Sequence, residues 1–252
     1  MNISLYQAAA AMNANGRWQE AIAENLSSSS IPGFKRQDIS FAAIEAGLMP
    51  GSENATASAA NAKHYGLPID HSTVSFEAGQ IKPTGVDTDL AIEGKGFFEI
   101  QMPNGEMAYT RDGEFQISSS GELVTKQGYA VMSDTGALQL DMHSKQPLTI
   151  TSDGRLTQGP VKAKIKMVEF NDPSLLQHVG GGYFSANDAG LQMNDATESS
   201  VRQRFLEASN TTPATEMVQL MSAMRSYEAN QKLIQIQDER IGSSIRDLSG
   251  AS

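Results

Sequence analysis

Four histidines, His64, His71, His143 and His178, are the first places to look for chemistry, because imidazole binds metals and moves protons near neutral pH. They are scattered, and no carboxylate cluster stands at metal-ligand spacing from any of them. Asp87 and Asp89 form a D-x-D, but it leads into the apolar segment "LAIEG" with no phosphate loop beside it. The run "GKGFFE" lacks the third glycine of a dinucleotide fingerprint and does not open a helix. Gly180–Gly182 reads as a turn rather than a phosphate cradle, and no G-x-S-x-G elbow occurs. The absence of cysteine removes disulfides, thiolate catalysis and Cys-based metal sites together. The residues predict no enzyme, no cofactor and no bound metal.

Bulk composition narrows the choice further. The 252 residues carry a formal charge of −10, with 39% hydrophobic and only 6% aromatic side chains. No basic stripe is available to neutralise phosphates, so a nucleic-acid partner is excluded. No apolar run approaches the roughly 18 residues needed to span a bilayer, so membrane insertion is not expected. The first residues, "MNISLYQAAAAMNANGRW", have neither a cationic region nor a sustained apolar run, and predict no secretory signal peptide. That composition suggests a folded protein with a thin core and much surface rather than a compact enzyme.

Proline marks where helices can lie. None precedes Pro32 and none follows Pro213, so both ends can be uninterrupted helices while the middle cannot. From Thr212 the sequence offers an N-cap, a proline at the first helical position and Glu216 in the first turn. A heptad register then runs through Met217, Leu220, Met224, Tyr227, Gln231, Ile234, Asp238, Ile241, Ile245 and Leu248, eight of the ten apolar. Leu5, Ala8, Met12, Asn15, Gln19, Ile22 and Leu26 repeat the spacing at the N-terminus. Met217, Met221 and Met224 add adaptable thioethers to the second helix. The expected fold is α+β: the N- and C-terminal helices pair as a coiled-coil-like domain, with an all-β domain inserted between them.

That insertion is visible as short segments bounded by turn residues. "FFEIQMPNGEMAYT" predicts a hairpin with a type I′ turn at Asn104-Gly105, and "GEFQI", "GELVT", "GYAVM", "GALQL", "PLTIT" and "GRLTQ" follow. A sandwich or partly closed barrel is expected. The predicted organisation is an N-terminal helix over 1–35, a connector over 36–75 with little core of its own, a β-domain over 76–205 and a C-terminal helix over 206–252.

Three stretches carry a family resemblance. "AENLSSSSIPGFKRQDISF", "DLAIEGKGFFEIQMPNGEMAYTRDGEFQISSSGELVTKQGYAV" and "LEASNTTPATEMVQLMSAMRSYEANQKLIQIQDERI" occur in the order found in the axial proteins of the bacterial flagellum, and the chain resembles their rod and hook–basal-body members. Glu24, Ser27–Ser30, Ile31 and Thr211 depart from the family pattern. The resemblance implies a structural subunit of the basal-body rod that polymerises helically with its own copies and other rod or hook proteins to transmit torque, the alternatives being a hook-like axial subunit or a secreted non-flagellar adhesin or binding module with a closed helical bundle. It also implies delivery by the flagellar type III export apparatus, and leaves open whether the β-domain contacts the surrounding basal-body rings. The apolar helix positions Leu5, Ala8, Met12, Ile22, Leu26, Met217, Leu220, Met224, Tyr227, Ile234, Ile241, Ile245 and Leu248 become candidate subunit contacts.

Between the first helix and the β-domain lies "SSSSIPGFKR". Serines end the helix, Pro32 disfavours helical geometry at Ile31, Gly33 turns the chain and Phe34 anchors it. Lys35 and Arg36 are expected to stay solvated or to meet acidic residues of a neighbouring subunit.

Overall fold

The computed structural model describes residues 3–45, 65–142, 144 and 146–249. His64 and His143 lie outside them. The chain divides into two compact units: one of Met1–Glu24, Gln37–Thr73 and Ala214–Ser252, the other of Asn25–Arg36 and Val74–Pro213.

The second unit is a β-structure built on a ten-stranded antiparallel sheet. Its main path runs Gln177–Gly180, Tyr183–Ser185, Met107–Thr110, Phe97–Gln101, Ala130–Ser133, Leu123–Thr125, Phe115–Ile117. The strand Phe97–Gln101 is central, pairing with Met107–Thr110, Ala130–Ser133 and Met167–Phe170. Both of its faces are covered. Phe98 and Ile100 enter one apolar cluster with Leu90, Phe115, Leu123 and Leu156, and Phe97 enters another with Tyr109, Phe170 and Phe184. Two-sided burial explains why "FFEI" is nearly continuous in apolar residues, where a half-exposed strand would alternate. Each buried phenylalanine contributes about 2 kcal/mol of transfer free energy.

The hairpin joining Phe97–Gln101 to Met107–Thr110 differs from expectation. Gly105 N–H donates to the Met102 carbonyl, Met102 N–H donates to that of Glu106, and Gly105 has φ +86°. Asn104 keeps a negative φ, since Arg204 is the one non-glycine with positive φ among the described residues. The loop is therefore Pro103-Asn104-Gly105, a three-residue connection. Proline presets the first central φ of an ordinary turn and glycine supplies the left-handed residue after it, which leaves no place for a type I′ pair.

The first unit holds two helices, α1 (Ile3–Ser27) and α2 (Pro213–Ser249), and an antiparallel pair of strands, Gln37–Glu45 and Tyr65–Val74. These strands occupy the stretch read as a connector with little core of its own; partial alternation in "QDISFAAIE" fits the first of them. No helix is long and apolar enough to cross a membrane, among the described residues.

The α+β expectation of a coiled-coil-like helical domain is overturned. Among the described residues the chain is mostly β, with two α-helices, and α2 does not bury the predicted seam. A coiled coil must enclose both sets of alternating seam residues. Here Leu220, Ile234 and Ile241 are half-buried, but Met217, Met224 and Tyr227 are exposed. The inward strip instead adds Glu216, Ala223, Asn230 and Gln237, one residue earlier in each heptad. Those residues are small or polar, so the strip is narrow and carries no knobs. Ala223 is wholly buried and Met224 half exposed, which fixes the rotation of the helix.

Candidate functional site

The descent from α1 is built by its serines. Ser29 Oγ donates to the Leu26 carbonyl at 2.7 Å, and the Ile31 amide donates to Ser28 at 3.0 Å. Carbonyls left open at the helix end are thus satisfied locally, and the chain turns rather than frays.

Gly33 then makes a contact only glycine can make. Its φ is +66°, and a Cβ there would stand 2.3 Å from the carbonyl carbon and oxygen of Arg111. Its amide donates to the Glu207 carbonyl at 2.7 Å. The loop lies backbone against backbone on the β-unit. Phe34 follows with no exposed surface, its ring edge-on to His178 at 6.1 Å between centroids.

Lys35 is not solvated. Its side chain is almost wholly enclosed, and Nζ donates to Glu207 Oε1 at 2.6 Å and to the Glu77 carbonyl at 2.7 Å. The expectation of a free or intersubunit cation fails because the carboxylate that matches it comes from the same chain. Arg111 reaches the other oxygen of Glu207 at 3.4 Å, donates to the Gly94 carbonyl at 2.7 Å and lies 4.9 Å over the Phe97 ring. Glu207 Oε1 also accepts the Gly79 amide at 2.7 Å. One carboxylate thus holds two cations and a backbone amide. Burial draws the pKa of Lys35 below its usual value, and Glu207 opposes that shift. Burial likewise draws Arg111 down, again against Glu207. Such a centre is stable only while every partner is present.

Asn210 closes the ring. Its Oδ1 accepts the Arg36 amide at 2.8 Å, and Nδ2 donates to the carbonyls of Ser75 at 2.8 Å and Glu77 at 3.2 Å. Around Glu207 and Asn210, therefore, the chain entering at 33–36, the segment 75–79 and the strand Phe205–Glu207 are fastened together. Pro32, Gly33, Phe34 and Lys35 were named from sequence. Glu207, Asn210 and Arg111 were not, although "LEASN" contains two of them and "TRDG" the third. The available signal was one carboxylate in "LEASN" and a cation in each of "GFKR" and "TRDG", all inside the stretches that carry the family resemblance.

The helix positions differ in exposure. Ile22 is buried, Leu26, Met12, Leu220, Ile234 and Ile241 are half-buried, and Met217, Met224 and Tyr227 are exposed. Leu5 and Ala8 on α1 and Ile245 and Leu248 on α2 have side chains outside the described residues. Val218, Met221, Leu233 and Ile236 add further exposed apolar surface to α2.

The chemistry-bearing residues find structural employment. Asp87 Oδ1 accepts from Arg204 Nε at 2.7 Å, and the Asp89 carbonyl accepts the Arg204 amide at 2.8 Å. Gly180–Gly182 turn between the strands Gln177–Gly180 and Tyr183–Ser185 with positive φ throughout. No group of three His, Cys, Asp or Glu could hold a metal among the described residues.

Residues 91–158 match the family model of the flagellar hook protein FlgE/F/G D1 domain, and residues 202–247 that of the flagellar basal body rod FlgEFG protein C-terminal region. The flagellar basal-body rod protein FlgG of Borreliella burgdorferi is 33% identical over 95% of this chain and 96% of its own. FlgG of Bacillus subtilis is 28% identical over 94% and 95%, and FlgF of Caulobacter vibrioides 34% identical over 69% and 71%. The Lys35–Glu207 pair joins the loop after the first helix to the second matched region, and with full-length similarity of this degree the chain belongs to the flagellar basal-body rod protein family.

Proposed function

We propose that this chain is a structural subunit of the flagellar rod, assembling helically with its own copies and with related axial proteins to carry torque from motor to hook. The reading assigns association, not catalysis. The observation that carries it is the outer side of α2, where Met217, Val218, Met221, Met224 and Leu233 stand in solvent on a helix that a self-sufficient domain would have turned inward. Leu5, Ala8, Met12, Ile22, Leu26, Leu220, Tyr227, Ile234, Ile241, Ile245 and Leu248 complete the set of helix positions assigned to subunit contacts. Burying such stripes in a neighbour offsets the entropy of ordering the chain ends. A head-to-tail contact whose rotation does not close then yields a tube. Delivery through the flagellar type III export apparatus, and contact of the β-unit with the surrounding rings, belong to the same reading.

Electron microscopy of basal bodies from a deletion strain tests it. A truncated or missing rod, restored by the wild-type chain and not by a Met217→Asp, Met224→Asp double variant, is the expected result. Intact basal bodies and normal swimming after deletion would remove the proposal. Hydrogen exchange on dilute chain supplies a second check: fast exchange over 217–248 is expected before assembly, and strong protection there would speak for a closed, self-contained helical bundle.

A further inference from the structure

Met217, Met221 and Met224 follow i, i+4, i+7 spacing and so form one patch on one side of α2. They are 53%, 51% and 50% exposed, whereas Met167 in the β-core is 7% exposed. The chain has twelve methionines and no cysteine, so thioethers are its only sulfur and its most readily oxidised side chains. We propose that this methionine triad is an oxidative modification site, at which a peroxide converts the exposed thioethers of unassembled chain to sulfoxides and thereby blocks pairing with a second copy.

The step balances with peroxide as the named oxidant. A sulfur lone pair attacks one oxygen of hydrogen peroxide, the O–O bond breaks, and the departing hydroxide takes the remaining proton and leaves as water. Sulfur loses two electrons and the peroxide gains them. The product is a polar, chiral sulfoxide where a flexible apolar side chain stood. Three such groups on one patch turn an apolar contact into one that must desolvate three strong acceptors.

The occupant that this patch fits is another α2. Arg225, Glu228, Lys232 and Glu239 are exposed and continue the same side of the helix with alternating sign. A second copy therefore meets complementary charge there in spite of the net −10. This step rests on the rod-subunit reading above. Among the described residues the other exposed methionines, Met107, Met142 and Met193, are dispersed through the β-unit and serve as internal controls.

The test uses full-length unassembled chain, graded hydrogen peroxide, peptide mass spectrometry and self-association followed by light scattering. Expected are sulfoxides at 217, 221 and 224 well before Met167, with self-association falling at least tenfold as they form and returning after methionine sulfoxide reductase treatment. Measured against its own untreated level, whatever that is, the Met217→Leu, Met221→Leu, Met224→Leu variant should change its association less than twofold on peroxide treatment, although Met107, Met142 and Met193 still oxidise. Equal loss of association in that variant, or unimpaired association of wild-type chain carrying all three sulfoxides, would overturn the proposal. Untreated wild type that never associates at any concentration would instead overturn the rod-subunit reading beneath it.

Discussion

Lys35 Nζ and Glu207 Oε1 lie 172 positions apart in sequence and 2.6 Å apart in space, with both side chains almost entirely withdrawn from water. The pair ties the chain leaving α1 to the chain returning toward α2.

The two partners are not equivalent, and truncation should show it. Glu207→Ala strands Lys35 and Arg111 together without a counter-ion, whereas Lys35→Ala leaves Glu207 with Arg111. Breaking a buried pair by removing one member costs about 3–5 kcal/mol. Glu207→Ala is expected at or above the top of that range, and Lys35→Ala near its bottom. Urea unfolding of the β-unit checks the order; equal losses would mean that Arg111 does not share the carboxylate.

Gly33 and Gly85 separate backbone conformation from close approach. Both have positive φ, +66° and +78°, but a Cβ at Gly85 would meet nothing within 4 Å. Gly85→Ala should therefore cost about 1 kcal/mol, the conformational part alone. Gly33→Ala must in addition push the Arg111 backbone away, for a total of about 3 kcal/mol or more. Thermal melts of the two variants supply the comparison.

Asp112 gives the β-unit a pH dependence of unusual sign. Its carboxyl is buried, and burial pushes its pKa up to about 7 from 3.8, against the bond it accepts from the Glu114 amide at 2.9 Å. The folded form holds a proton that the unfolded form has lost between those values. Stability tied to this group is therefore full below about pH 4, falls as pH rises, and levels off above about 7. Asp112→Asn keeps an acceptor for Glu114 and cannot ionise. Its melting temperature should match wild type near pH 4 and exceed it near pH 8. A variant that tracks wild type across the range would show that Asp112 is ionised throughout in the fold.

Much of this was legible in the residues, and the failures have physical causes. The β-unit and its hairpins follow from turn residues at short intervals, and α2 begins at Pro213 as its cap residues imply. Rotation of α2 was not legible. A one-residue shift exchanges Met224 for Ala223 as the inward residue, and apolar count favours the wrong one. The heptad rule assumes that the most apolar stripe faces inward, which fails for a helix whose apolar side is turned to solvent. Lys35 was misplaced for a related reason: a lone cation is normally solvated, and only the fold brings Glu207 to it. Within "LEASN", Glu207 ends the strand Phe205–Glu207 and Asn210 follows three residues later, and nothing in the residue types alone marks either as an anchor.

Asn210 carries the last prediction because its two ends do different work. Oδ1 receives the Arg36 amide, while Nδ2 spans the carbonyls of Ser75 and Glu77. Asn210→Ala removes all three bonds and leaves partly buried backbone groups unmet, a loss of about 2 kcal/mol. Asn210→Asp keeps an acceptor for Arg36 but turns a second oxygen toward two carbonyls, so it should lose at least as much stability. Hydrogen exchange at the Arg36 amide then discriminates between the variants. Protection should vanish in Asn210→Ala and persist in Asn210→Asp despite its lower melting temperature. Protection retained in both would mean that Arg36 is held by the packing of Phe34 and not by the asparagine.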